Sequence, residues 1–360
     1  MLNGNEKKYL AECIDTGWIS SEGPFIKKFE DEFAAKVGRQ HAVAVCNGTA
    51  ALEIAIETLG IGQGDEVIMP AFTIISCASA VVKMGAVPVL VDSDATTWNM
   101  DVSQIEKKIT KKTRAIMAVH IYGLPVDMDP LRALTKKYGL KLIEDAAEAH
   151  GLTYKGKPCG SFGDISVFSF YPNKLITTGE GGMVVMNDVA LAEKCRSLRN
   201  LCFMPGKRFV HEELGWNMRM TNIQAAIGLA QLERWDEHIA RKREMGKLYA
   251  SLLSGTKSFS IAPASTEYAE NIYWVFGILM KNGMDAEAVM KKLAEKQIAT
   301  RPFFYPMNLQ PVFRKKGWYI NETYPVAENL YAHGFYVPSG LTLTNDQIRT
   351  VSKTLLEIVS

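Results

Sequence analysis

From about residue 42 to residue 190 the chain repeats one unit, a short β-branched or apolar run followed by a stretch with helical spacing. Ala42–Cys46, Glu66–Met69, Pro88–Val91, Ala115–His120 and Lys141–Glu144 read as strands, and Thr49–Leu59, Ile75–Met84, Val102–Ile109 and Leu131–Tyr138 as the helices between them. The strands are nearly continuous apolar runs, so they are expected to be buried on both faces in a parallel sheet. Ser166–Ser169 and Gly182–Met186 read as further strands of that sheet. A long helical stretch, Gln224–Leu253, follows. Beyond it a strand (Tyr273–Met280), a helix (Asp285–Lys296) and a terminal helix (Asp346–Val359) suggest a smaller α/β domain. With 360 residues there is room for two domains, and we place them at 1–240 and 241–360.

Two side chains in the large domain carry chemistry. Asp145 ends the apolar strand Lys141–Glu144, where open α/β sheets place their ligands. Lys174 comes five residues after Ser169 and just before the glycine-rich turn Thr177–Gly182. A lysine amine that condenses with an aldehyde, and a carboxylate that keeps a pyridine nitrogen protonated, are the two groups pyridoxal phosphate requires. The turn Asn47-Gly48-Thr49 opens a helix, and free N–H groups at a helix start suit a phosphate. That turn taken alone also reads as an ordinary strand-to-helix connection with a threonine cap. Ser169 would add a hydroxyl. Gly60-Ile61-Gly62-Gln63-Gly64 follows a helix and precedes a strand, the reverse of a dinucleotide fingerprint, and in Thr177–Gly182 the lysine precedes the glycines, which is not a P-loop.

Composition narrows the partners. A net charge of +2, with lysine runs that lack interleaved aromatics, argues against nucleic acid. Lys83, Gly85 and Pro88 break the most apolar window, 71–91, so no membrane span is expected. The six cysteines form no C-x-x-C pair and the histidines no zinc-like spacing, which suits a reduced, cytoplasmic protein without a metal site.

Several stretches in order resemble the DegT/DnrJ-type sugar-nucleotide aminotransferases, over nearly the whole chain. They are Asn47–Leu52, Gly64–Ile68, His120–Gly123, Glu144–Gly151, Phe168–Lys174 with Thr178–Gly182, and Gly215–Thr221. The resemblance implies the aspartate-aminotransferase type I fold, with a central mixed, mostly parallel sheet and a smaller C-terminal α/β domain. It implies that Lys174 and Asp145 are the catalytic pair and that Gly48, Thr49 and Ser169 hold the cofactor phosphate. Asn217 would reach the phosphate from the neighbouring subunit of a homodimer with shared active sites. Glu148, which stands where many members carry glutamine, would lie near the cofactor ring hydroxyl. Trp18, Arg219, Arg301 and Tyr305 would contact a nucleotide-sugar substrate, with L-glutamate as amino donor.

Glu148, Gly17–Ser21 and Thr300–Pro306 resemble the branch that makes perosamine from GDP-4-keto-6-deoxymannose. UDP- or dTDP-linked 4-keto sugars are the alternative substrates, and a cofactor-binding regulator is a rival of another class. A sugar dehydratase on the same fold would carry histidine in place of Lys174. The family's usual aromatic residue over the cofactor ring aligns with aliphatic Ile74, so either Ile74 covers the ring or Phe72 moves in. The family also has a short lead-in ahead of Leu2-Asn3-Gly4, which points to a native start upstream.

Overall fold

A computed structural model describes every residue except 205 and 208. Helices α1 (Glu6–Thr16) and α2 (Pro24–Lys36) come first, then β1 (His41–Val45), α3 (Gly48–Thr58), β2 (Glu66–Pro70), α4 (Ile75–Lys83), β3 (Val87–Val91), β4 (Thr113–Val119), α5 (Met128–Tyr138) and β5 (Lys141–Asp145). A small hairpin, β6 (Thr153–Tyr154) and β7 (Lys157–Pro158), precedes β8 (Ile165–Ser169) and β9 (Gly182–Met186), and α6 (Val189–Leu198) follows. The main sheet has the order β1-β9-β8-β5-β4-β2-β3. Among the described residues β9 alone runs against the rest. The sheet is therefore mixed and mostly parallel, and its other strands bring their C-terminal ends to one side.

Alternate residues of each strand enter different cores, as the two-residue pleat requires. Val43, Met117, Val167 and Val184 face a layer with the aliphatic residues of α3 and α4. Ala44, Ile116, Phe168 and Val185 face a second layer with Phe29, Phe33 and Leu229. Helix α3 is apolar nearly all round, and that lets it lie buried beneath β8 and β9.

The C-terminal part has four antiparallel strands, β10 (Phe259–Ile261), β11 (Phe276–Met280), β12 (Arg301–Pro302) and β13 (Gly334–Val337), in the order β10-β11-β13-β12. Helices α7 (Asn222–Leu232) and α8 (Trp235–Leu253) lead into it. It also carries α9 (Ala286–Glu295), α10 (Pro311–Arg314), α11 (Pro325–His333) and α12 (Asn345–Val359). Residue 240 lies within α8, whose Trp235 enters a main-sheet core while Met245, Tyr249 and Leu253 enter the core of the smaller sheet.

Two expectations are corrected. Val102–Ile109 is not a helix but two short 3-10 turns, Val102–Gln104 and Glu106–Lys108. Ile105 is its fully buried apolar residue, too little to anchor a helical stripe, and Asp101 caps the backbone N–H of Ser103. Gln224–Leu253 is two helices, because the chain turns at Glu233–Arg234 to seat Trp235 against Phe33 and His150.

His150 sits among Phe33, Phe168, Phe170 and Trp235, and neither ring nitrogen has a hydrogen-bond partner. Burial, with a smaller contribution from the Lys174 charge, pushes its pKa down to about 3. The unfolded chain takes up this proton near the ordinary pH of about 6.5, so the stabilisation is complete above that pH and is lost as pH falls toward 3. In His150→Phe, the slope of unfolding free energy against pH between roughly 4 and 6 should be shallower by about one proton. An unchanged slope in denaturant titrations would contradict a neutral His150.

Candidate active site

Three strand ends build the site. After β1, Asn47 caps α3, its Oδ1 accepting the Ala50 N–H at 2.8 Å. Gly48 and Thr49 thereby open the helix, where backbone N–H groups lack intrahelical acceptors. Ser169 ends β8 beside them. The approach is close: a Cβ on Gly48 would lie 2.9 Å from Ser169 Cβ, and one on Gly182 would lie 2.4 Å from the Asn47 carbonyl oxygen. Thr49 Oγ1 is also 3.0 Å from Ser76 Oγ, in the first turn of α4. These groups line a cavity of about 710 Å³.

Asp145, at the end of β5, lines the same cavity and is 2 % exposed. Its Oδ1 accepts the Ala147 N–H at 3.0 Å and its Oδ2 the Cys77 thiol at 3.2 Å. Burial raises its pKa, against those bonds and the charge of Lys174. Glu144, the preceding residue, faces inward to a different set of donors. It accepts from His120 Nε2 at 3.0 Å, from the N–H groups of Gly160, Phe162 and Gly163, and from Ser166 Oγ. Burial opposes its charge, but the His120 bond and these N–H groups win, holding its pKa at about 2. Cys159 brings a third possible metal ligand within 4.8 Å of His120 and Glu144, yet the Glu144 oxygens are already committed to hydrogen bonds.

Lys174 Nζ lies 3.7 Å from Glu148 Oε1 and 3.9 Å from the centre of the Trp274 ring. Burial lowers the lysine pKa against Glu148 and Asp145, which raise it. Burial likewise pushes Glu148 up to about 7 against the opposing charge of Lys174. The other oxygen of Glu148 accepts the Tyr122 N–H at 3.0 Å. Tyr122 adopts φ 54°, a conformation that costs a non-glycine residue roughly 1–2 kcal/mol and here aims its N–H at that carboxylate.

The sequence reading is thus brought together in part. Gly48, Thr49, Asp145, Glu148, Ser169 and Lys174 share one cavity. Asn217, Trp18, Arg219 and Tyr305 do not line it. Asn217 is exposed and accepts from Arg219 Nη2 at 3.5 Å. Trp18 is half exposed, and its carbonyl accepts from Asn222. Tyr305 packs edge-on against Tyr331. Arg301 is exposed and lines an adjoining cavity. Of the two candidates for covering the ring, Ile74 lines the cavity, whereas Phe72 is fully buried against Tyr122, Phe303 and Phe304. The suggestion that Phe72 moves in is therefore corrected, since it would have to leave that cluster. Ser76, Cys77 and Trp274 were missed. For the first two there was a signal, because Thr73-Ile74-Ile75-Ser76 repeats the strand-to-helix step of Asn47-Gly48-Thr49.

The donor set suits pyridoxal phosphate. Helix-start N–H groups and three hydroxyls provide for a phosphate, a buried carboxylate without an adjacent cation provides for a protonated ring nitrogen, and a buried amine faces the same cavity. The chain matches the DegT/DnrJ/EryC1/StrS aminotransferase family over residues 1–356. It is 45 % identical to the GDP-perosamine synthase of Escherichia coli O157:H7, covering 100 % of this chain and 97 % of that protein. It is 43 % identical to the GDP-perosamine synthase of Caulobacter vibrioides, covering 99 % and 96 %. The solved PLP form of the putative sugar aminotransferase Spr1654 from Streptococcus pneumoniae superposes with a TM-score of 0.90 at 26 % identity, covering 99 % and 97 %.

Because Glu148 raises the Lys174 pKa, Glu148→Gln should lower it. The pH dependence of Lys174 acylation in cofactor-free protein reads this directly, and an unshifted profile would mean that the pair does not interact.

Proposed function

The chain belongs to the DegT/DnrJ/EryC1/StrS aminotransferase family, and from that premise we propose that it moves the amino group of L-glutamate to C4 of GDP-4-keto-6-deoxymannose, giving GDP-perosamine. It is a pyridoxal-phosphate-dependent sugar aminotransferase. The observation that carries the choice of sugar is the 45 % identity, over the full chain, to a protein named GDP-perosamine synthase.

When bound, the cofactor supplies an electron-accepting ring that lets an amino group leave one carbon and enter another. Gly48, Thr49, Ser76 and Ser169 would hold its phosphate. Asp145 would stabilise positive charge on its ring nitrogen, as a carboxylate whose burial makes it seek a cation. Lys174 moves the proton, and burial, by lowering its pKa, favours the free base that takes the proton up. Glu148, held by the Tyr122 N–H and facing Lys174, can store or return that proton.

The working unit in this reading is a homodimer. Asn217 is exposed and does not line its own cavity, which suits a residue that completes the partner's site. All six cysteines are unpaired, as a reducing cytoplasm would keep them, and no helix among the described residues is long and apolar enough to cross a membrane.

Two outcomes check this reading. With saturating glutamate, kcat/KM should be highest for the GDP-linked 4-keto sugar. A preference above about tenfold, roughly 1.4 kcal/mol, for a UDP- or dTDP-linked sugar would overturn the choice of substrate. Mixing inactive Lys174→Ala protein with Asn217→Ala protein should restore part of the activity, since one hybrid site then holds both residues. No rescue despite subunit exchange would place Asn217 in its own chain's chemistry.

A further inference from the structure

A lysine that joins and leaves a cofactor needs a place for its amine in the periods when it is free. Lys174 borders the first cavity and also the adjoining one, each of about 710 Å³. Its flexible four-carbon stem can turn a free ammonium toward either. Two groups hold it to one position. Glu148 Oε1 lies 3.7 Å from Nζ, and the centre of the Trp274 ring lies 3.9 Å from it. The carboxylate contact is too long for a hydrogen bond, and it is the one ion pair of Lys174 among the described residues. The Trp274 ring stands where a second counter-charge would. An aromatic face within about 6 Å attracts a cation, more strongly when water is excluded.

Trp274 is itself held firmly. It is 5 % exposed, and its indole N–H donates at 3.0 Å to the carbonyl of Asn173, the residue before Lys174. Its own carbonyl accepts from Lys242 Nζ at 2.8 Å. The Ile272 N–H donates to the Gly123 carbonyl at 2.9 Å. A Cβ on Gly123 would lie 2.6 Å from Tyr273 N and 3.0 Å from Trp274 N, so the segment 271–274 is pressed against the loop 121–124. That same loop supplies the Tyr122 N–H that holds Glu148, and the Tyr122 and Trp274 rings lie 6.0 Å apart at 29°. Both neighbours of the Lys174 amine are thus fixed from one place.

We propose that Trp274 is a further catalytic residue, its ring face and the Glu148 carboxylate forming the seat to which the Lys174 ammonium returns whenever the amine is free. The seat keeps the amine at the first cavity and favours its charged form. It rests on the role given to Lys174 above. Asp145 and Cys77 also act on the amine, and His150 feels its charge in turn. Trp274 differs from these groups in attracting the ammonium without a charge or a proton of its own, so its share can be weakened with every titrating group left in place.

Fluorine on the indole withdraws electron density from the ring face and hardly changes its shape, so protein made with fluorinated tryptophan separates this attraction from packing. Loaded with pyridoxamine 5′-phosphate, the protein keeps Lys174 as a free amine. Its acylation by acetic anhydride is then followed against pH by mass spectrometry of the Lys174 peptide. The midpoint should fall stepwise from tryptophan to mono- and difluorotryptophan, with acylation at least about twofold faster at a fixed pH below the midpoint. In Trp274→Phe the same fluorination should leave the midpoint where it is, which assigns the effect to this ring among the six tryptophans. An unmoved midpoint in the fluorinated wild type, or an equal movement in Trp274→Phe, would overturn the proposal. The fluorinated wild-type series carries the test by itself if Trp274→Phe does not fold. Borohydride reduction of the pyridoxal-phosphate-loaded protein fixes the cofactor to the lysine that holds it. A tag on another lysine would mean that the role of Lys174, and not the seat, has failed.

Discussion

The structure turns on a carboxylate buried at the end of a sheet strand. Asp145 is buried, and among the described residues the only donors it receives are a backbone N–H and a thiol. In that setting a negative charge is costly unless a cation is brought to it. The chain keeps one at some distance, in Lys174, and a protonated pyridine ring would supply a second. The neighbouring Glu144 shows the contrast. It is as deeply buried, but His120 and a loop of backbone N–H groups satisfy it completely, so its charge is structural and has no vacancy to offer. Side by side in β5, one carboxylate locks the loop 160–163 onto the sheet and the other is left open to the cavity.

The sheet makes this arrangement rigid. β1, β5 and β8 run the same way, so the N-terminus of α3, Asp145 and Ser169 emerge at one edge without any long loop having to place them. The spacing is enforced by what cannot fit: a side chain on Gly48 or Gly182 would collide with Ser169 or with the backbone of Asn47. β9, running against the others, starts at that edge with Gly182 opposite Ser169. The segment leading into β11 then contributes Trp274, whose ring lies against Lys174 and whose indole N–H bonds the Asn173 carbonyl at 3.0 Å.

Much of this was legible in the sequence, for physical reasons. Buried parallel strands are continuous apolar runs, and each strand of the main sheet was found within two residues at either end, whereas the two-residue strands β6 and β7 were not. Lys174, Asp145 and the Asn47-Gly48-Thr49 turn were legible because phosphate and amine chemistry need those residue types at strand ends. What stayed hidden depends on tertiary contacts. The break between α7 and α8 exists to seat Trp235, and no propensity marks it. β10, β12 and β13 are two to four residues long, too short for a pattern. Trp274 looks like an ordinary strand residue until the fold brings its ring to Lys174. Trp18, Asn217, Arg219 and Tyr305 lie away from the cavity of their own chain, and no sequence pattern tells which surface they serve.

The most direct test of the central claim is the charge on Asp145. Asp145→Asn keeps the shape and one acceptor oxygen but removes the carboxylate charge. The account predicts that this protein still takes up the cofactor, seen in its absorbance, while the single-turnover rate with glutamate falls by about 10²-fold or more. A rate within about threefold of wild type, a difference of well under 1 kcal/mol, would show that the buried carboxylate is not what drives the chemistry.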